Sequence, residues 1–386
     1  MIKKCSLEHP LPFIRKYLST FCQKVSPLFL WVIFYSAPLF SFPEMVRHGY
    51  NNCTVCHFSP AGGGILTEYG RELSREILSH IAQENEEKFL YNLIRPPKWL
   101  NLGGDIRALQ LYRDTPNVEE AKFILMQADL EAALTYKKFS VIGTVGRKAA
   151  ANTSSFTDHL ISRKHYLLFQ ATDEFSVRGG RFFPAFGLSI ADHPVVTRRG
   201  LGWDQGDETY NIEGAWLGET LNAYLSAILG KPDARKSGQE RGIAANLSLF
   251  WGDRFKTGIS YLYSKNKNEE RNLLGPFGIL GITPRIFLLT ETDFQNKKRE
   301  GTNEFGIVNY QRFDVEFLQG FHLFLSHEIS KPDFDTSRSF IRNYGIGFQC
   351  FPRSHWEFAL QWQKEKNRTI SDRYNDLLTF LMHFYL

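Results

Sequence analysis

"HWEFALQWQ", His355 to Gln363, is the stretch that decides the fold. Trp356, Phe358, Leu360 and Trp362 fall on one side of an extended chain, and His355, Glu357, Ala359 and Gln361 on the other. Side chains alternate across a strand, so an apolar stripe of period two beside a polar one marks a strand with one apolar and one wet face. The rhythm recurs. "NYGIGFQCF" (343–351) sets Tyr344, Ile346, Phe348 and Cys350 on one face, and "FKTGISYLY" (255–263) does so with Phe255, Thr257, Ile259, Tyr261 and Tyr263. In "KFILMQADLEAAL" (122–134), Ile124, Met126, Ala128, Leu130 and Ala132 oppose Gln127, Asp129 and Glu131. No helical period competes with these patterns.

Segments of this kind start near Gly104, Lys122, Phe139, Ile161, Phe175, Tyr210, Leu221, Gly242, Phe255, Leu273, Arg285, Phe305, Phe321, Asn343, His355 and Leu377. Spread over residues 99–386 they occupy about 18 residues each, room for ~10-residue strands and their connections, as in an exported transmembrane barrel with an even strand number. The predicted fold class is therefore all-β, a transmembrane antiparallel β-barrel of about 16 strands. A soluble β-sandwich or propeller also alternates, but its outward faces should be charged throughout. Here the apolar faces are continuous, with Trp, Tyr and Phe near segment ends, and the other faces carry Arg, Glu, Gln and His suited to a wet lumen. The last segment, "LLTFLMHFYL" (377–386), puts Leu378, Phe380, Met382, Phe384 and Leu386 on one face. It ends in Leu386 rather than the aromatic residue usual for outer-membrane strands.

Composition agrees. Aromatic residues make up 15% and charged residues only 23%, and the balance of 46 basic against 41 acidic side chains is spread along the chain, so nothing marks a nucleic-acid binder and no nucleic-acid partner is expected. Residues 1–41 read separately. Lys3, Lys4, Arg15, Lys16 and Lys24 precede the apolar run "PLFLWVIFYSAPLF" (27–40), and Ser41 is a small residue at a cleavage point. This is the pattern of a secretory signal peptide, with an N-terminal membrane anchor as the competing reading. Cys5 and Cys22 would leave with it, and Cys53, Cys56 and Cys350 remain.

Between leader and barrel lies "YNNCTVCHFSPAGGG" (50–64). A disulfide across Cys53 and Cys56 would close a very small loop and stabilise little. Structural zinc needs four ligands, and no second pair follows at suitable spacing. Cys-x-x-Cys-His is what covalent haem attachment requires: Cys53 and Cys56 bind the porphyrin edge and His57 is placed beneath the iron as axial ligand. The cofactor expected is one haem c. For a sixth ligand His48 is favoured over Met45, with His80 a further candidate near the motif and Met126 and His193 lying further away; methionine would raise the reduction potential and a second histidine hold it lower. Gly62, Gly63 and Gly64 permit close approach or positive φ. "LTEYGRELSREILSHI" then places Leu66, Tyr69, Leu73, Ile77 and Ile81 at helical spacing, and a second short helix is expected around "EEKFLYNLI" (86–94), ending at Pro96 and Pro97. Residues 42–98 thus form a short, mostly α-helical haem segment, too small for a robust core of its own and expected to lean on the barrel.

One connection is long. "LSIADHPVVTRRGLGWDQGDET" (188–209) either folds into the barrel, where His193, Arg198, Arg199, Asp204 and Asp207 can line a path, or forms an external loop.

An export signal, a single Cys-x-x-Cys-His within "FPEMVRHGYNNCTVCHFSPAGGGILTEYGREL" (42–73) and a barrel of this size resemble the fused monohaem cytochrome-porins of bacterial outer membranes. Only Cys53, Cys56 and His57 carry over as specific residues, and "GGRFFPAFGL" (179–188) more weakly resembles phosphate-selective porins. The resemblance implies an outer-membrane electron conduit, passing electrons from extracellular Fe(II) or another external donor to a periplasmic cytochrome, with lipid around the barrel. No acidic cluster for binding iron stands out near the motif. The competing function is a diffusion porin whose haem segment is a plug or sensor, and a third is a cytochrome merely anchored by the barrel.

Overall fold

The computed structural model describes residues 43–116, 119–147, 160–190, 195–203, 206–231, 239–336, 339–369 and 372–386. The leader at 1–41, His193 and Asp204 lie outside them. The first strands are β1 (Leu100–Asp114), β2 (Glu119–Tyr136), β3 (Phe139–Arg147), β4 (Leu160–Ile161), β5 (His165–Gln170), β6 (Phe175–Phe182), β7 (Thr209–Leu217) and β8 (Leu221–Gly230). They continue as β9 (Arg241–Trp251), β10 (Phe255–Lys265), β11 (Glu269–Thr283), β12 (Ile286–Arg299) and β13 (Thr302–Leu318). The last are β14 (Phe321–Lys331), β15 (Ile341–Cys350), β16 (Trp356–Asn367) and β17 (Tyr374–Tyr385).

Every neighbour pair among these is antiparallel, and β17 returns to β1 from Asp105↔Tyr385 to Asp114↔Asp376, closing the sheet on itself. β4 and β5 both pair with β3 and are two pieces of one interrupted strand, so among the described residues the barrel has sixteen strand positions. Each segment expected from the sequence falls in one of them, including those near Leu273 and Phe305 (β11 and β13).

The barrel is inside-out relative to a water-soluble protein. Asp129, Glu131, Arg178, Glu213, Asp314, Glu328 and Glu357 are buried inside, while Leu130, Val141, Val145, Leu225, Ile259, Ile346 and Leu360 point outward. Leu130 is 70% exposed and Leu225 63%. Each such side chain gives up about 1.5–3 kcal/mol by standing in water, so a continuous band of them is a surface for lipid. Aromatic rings border the band at both ends. Trp356 packs on Phe384 at 4.9 Å at one rim, and Tyr344 meets Tyr374 at 6.4 Å at the other. No helix among the described residues is long and apolar enough to cross a membrane.

Two sequence expectations about faces fail for local reasons. A β-bulge between Arg107 and Ala108 leaves Met126 as the extra residue of β2, and the register beyond it flips. Ile124 therefore pairs with Leu109, a lumen residue, and Met126 lines an interior cavity rather than sharing the outward face of Leu130. Leu386, expected outward with Phe380 and Met382, is buried, its backbone N–H bonded to the Gly104 carbonyl.

The described residues of the connection 188–209 fold inward. Leu188, Ile190 and Val195 pack with Phe250, Phe277, Ile279 and Phe287, and Val196, Leu201 and Trp203 with Leu262, Leu273 and Val308. Lumen groups hold its backbone. Glu213 accepts from the Ala185 N–H (3.0 Å), Glu291 from Leu188 (2.8 Å) and Glu328 from Val196 (3.1 Å), while the Ser260 hydroxyl accepts from Gly187 (2.8 Å). These bonds fix this loop, with its one-turn helix α2 (Val196–Arg199), across the barrel interior.

The segment before β1 closes the end of the barrel that carries the short turns. Arg47 is buried 3.3 Å from Glu316 and stacks over Phe287. Asn51 donates to the Glu219 carbonyl (3.0 Å) and accepts from Asn222 (2.8 Å), and Tyr224 donates to the Pro60 carbonyl (2.9 Å). On the opposite side, Gln319 donates to the Ser79 carbonyl, His80 to that of Phe351, and Glu86 receives Ser354 (2.9 Å) and Arg353. Ties around the rim make this segment a plug, which answers how so short a unit is stabilised.

Candidate functional site

The plug builds its site from local chemistry. Asn52 caps a short turn by accepting from the Thr54 N–H (2.9 Å), and His57 N–H closes back on the Cys53 carbonyl (2.9 Å), so Cys53, Cys56 and His57 share one tight loop. Thr67 caps α1 (Glu68–Leu73) by accepting from the Gly70 N–H (3.0 Å) and donating to the Val55 carbonyl (2.7 Å), which seats the helix on that loop. Gly62, Gly63 and Gly64 all adopt positive φ (79°, 70° and 72°), as their sequence suggested.

α1 runs on as a π-helical turn, Ser74–Leu78, in the position expected for the first helix. Leu73 and Ile77 are buried against Met45, whereas Tyr69 and Ile81 are exposed. The helix expected around 86–94 is absent. Leu90 and Tyr91 take left-handed conformations (φ 47° and 55°) in a single 3-10 turn, Phe89–Asn92, which turns Phe89 inward.

Cys53, Cys56 and His57 face a cavity of about 220 Å³, measured as space open to the centres of water molecules. Its walls come from three sources. The plug gives Met45, Val46, Tyr50, Leu66 and Leu73; the inward loop gives Ala185 and Leu188; the barrel gives Asp105, Arg107, Lys256 and His383. The site therefore lies within the barrel, between plug and loop. Burial pushes the Cys56 thiol up to about 11, with Cys53 adding to the effect, and brings His57 down to about 4, opposed by the Gly64 backbone and helped by Lys164.

The residues fit a c-type haem. Cys53 and Cys56 are free thiols, and one ring nitrogen of His57 is held by the Gly64 backbone while Nδ1 is buried without a hydrogen-bond partner. A neutral imidazole fixed on one nitrogen by the backbone and free on the other is how an axial histidine is presented. Of the two sixth-ligand candidates, Met45 lines the cavity; His48 is not among its lining residues and bonds the Pro284 backbone. His80 packs edge-on to Phe321, and Met126 lines a separate cavity of about 160 Å³ with Arg199, away from the motif. Arg198 bonds the Ile190 carbonyl and Asp207 pairs with Lys231, so these two charges of the long loop are engaged apart from one another.

Sequence reasoning missed Gly70, Lys256 and His383. Gly70 alone left a trace, as a glycine inside an amphipathic helix. A Cβ there would stand 2.3 Å from the Cys56 carbonyl oxygen. Gly70→Ala is expected to cost about 1–3 kcal/mol through overpacking, read as a lower melting temperature of the plug in Soret-region circular dichroism. An unchanged melt would mean that α1 does not rest on the motif.

No family model matches the chain, and no curated protein matches it. Solved structures do. An anion-selective porin from Comamonas acidovorans is 9% identical, with 74% of this chain and 99% of that chain covered and a TM-score of 0.59. OmpT of Vibrio cholerae is 10% identical, covering 76% and 100% with a TM-score of 0.57. The outer membrane channel DcaP of Acinetobacter baumannii is 11% identical, covering 74% and 97% with a TM-score of 0.53. At such identities the likeness is one of fold: this chain has the closed antiparallel barrel of the outer-membrane porins.

Proposed function

We propose that the chain works in a bacterial outer membrane as a porin-type barrel whose lumen is plugged by its own haem-bearing segment. The observation that carries this reading is the cavity on which Cys53, Cys56 and His57 converge, enclosed by plug, loop and wall. Cys53 and Cys56 would hold the haem covalently, His57 would bind the iron, and Met45 is preferred to His48 as the sixth ligand. When bound, the haem supplies one-electron exchange. Short turns mark the periplasmic side of outer-membrane barrels, so the plugged end faces the periplasm.

What passes is a separate question. The neighbours named as porins and channels favour passage of small solutes, with the haem segment as plug or sensor. The enclosed site favours electrons instead, because a haem held there would lie inside the layer, whose apolar band is ~25 Å tall, where a periplasmic cytochrome and an external donor could approach from opposite sides. Haem-loaded protein in liposomes with an enclosed oxidant separates the two. Under the conduit reading an external, impermeant reductant reduces the enclosed acceptor, and His57→Ala stops transfer while the barrel still assembles. Haem reduction without reduction inside sinks that reading, and redox-independent permeability to sugars or anions supports the channel.

A further inference from the structure

The cavity wall carries a buried group that neither haem attachment nor solute passage uses. His383 of β17 is 4% exposed, with Nδ1 2.6 Å from Glu357 of β16 and Nε2 3.2 Å from Asp105 of β1. Asp105 is also held by Arg107 (3.1 Å), and Gln349 donates to the other oxygen of Glu357 (2.6 Å). Tyr385 of the same strand packs against the imidazole with its ring tilted, 5.1 Å between centroids, and its hydroxyl meets Ser74 of the plug at 2.9 Å. Beyond Asp105 stand Glu131 and Lys164, an ion pair at 3.3 Å, and Lys256 also lines the cavity.

We propose that His383 is a proton-binding site coupled to the haem, occupied when the haem is reduced and released when it is oxidised. Asp105, Arg107 and His383 line the same cavity as Cys53, Cys56 and His57. With His383 neutral, the group formed by Asp105, Glu357, Arg107 and His383 carries one net negative charge; with His383 protonated it carries none. Reduction adds one electron from an external reductant to the cavity. One proton from water, bound at the imidazole, cancels that added charge, and reoxidation returns both. Charges interact strongly in a buried site because little water screens them. The coupling therefore favours reduction when the proton is on and oxidation when it is off.

This inference rests on the haem reading and holds whether the barrel passes electrons or solutes. The test is a spectroelectrochemical titration of full-length, haem-loaded protein across pH. The wild-type midpoint potential should fall as pH rises, by up to one proton per electron within a limited window. His383→Gln, which keeps a hydrogen-bonding side chain without a titrating one, should flatten that slope while leaving the haem spectrum unchanged. His322→Gln serves as the control: His322 is equally buried and bonded to Asp314 at 2.7 Å but does not line the cavity, and its removal should leave the slope intact. Should His383→Gln fail to assemble, Glu357→Gln decides, because losing one carboxylate must move the window to lower pH. A flat wild-type potential, a wild-type slope in His383→Gln, or an unmoved window in Glu357→Gln overturns the proposal. Protein that attaches no haem at all overturns the haem reading and this inference with it.

Discussion

Replacing Cys53 and Cys56 together by serine is expected to remove covalently attached haem completely, while the barrel still assembles. The measurement is haem staining after denaturing electrophoresis, paired with the shift in mobility between heated and unheated samples that a folded barrel shows. Wild type should keep its stain through denaturation because a thioether survives where coordination does not. Serine cannot replace that bond, so the signal should fall to background rather than by a fraction. The barrel should be indifferent, because its closure lies in backbone ladders from β1 to β17 that include neither cysteine. Wild-type protein with no stain, or a double variant that keeps one, would remove the cofactor from the account. The two single variants grade the effect: one remaining thioether still holds haem, at lower yield.

Much of the barrel was legible because its physics is local and repetitive. "HWEFALQWQ" states which face meets lipid, since Trp356, Leu360 and Trp362 are exposed and Glu357 and Gln363 buried. The errors come where one residue changes the count. The bulge at Arg107/Ala108 has no signature in "KFILMQADL", yet it brings Ile124 into register with Leu109 and sets Met126 on an interior cavity. "EEKFLYNLI" has helical composition, but Glu86 is drawn to Arg353, Ser354 and the His355 ring, and the chain is pulled into a left-handed turn. Tertiary hydrogen bonds outweigh a propensity of a few tenths of a kcal/mol per residue.

The candidate site divides in the same way. Cys53, Cys56, His57 and the three glycines are contiguous, so spacing alone brought them together. Met45 and His48 are both near in sequence, where His48 was favoured, although spacing alone gives no ground for that order. Met45 lines the cavity, while His48, one 3-10 turn further along the chain, bonds the Pro284 backbone instead. Lys256 and His383 come from strands hundreds of residues away, and only barrel closure brings them to the motif. The inward course of 188–209 was equally open from sequence, because the carboxylates that hold it, Glu213, Glu291 and Glu328, sit on three separate strands.

The plug should come loose when Arg47 is replaced. Its guanidinium, 2% exposed, lies 3.3 Å from the buried Glu316 carboxylate and 4.3 Å from the centre of the Phe287 ring. Arg47→Met keeps the length and apolar contact of the side chain but leaves Glu316 without its nearest cation. Breaking a buried ion pair from one side costs about 3–5 kcal/mol, because the remaining charge stays desolvated. Glu316 retains the Gly320 N–H at 2.9 Å, so the lower part of that range is expected. Arg47→Met/Glu316→Gln should recover most of the loss, since it removes both charges and leaves an amide that still accepts from Gly320. The readout is melting of the plug in Soret-region circular dichroism, with barrel melting followed separately by the strand signal. Equal destabilisation in the single and double variants would show that the pair does not hold the plug. A single variant that melts like wild type would show that the rim contacts at Asn51, Ser79 and Glu86 suffice without it.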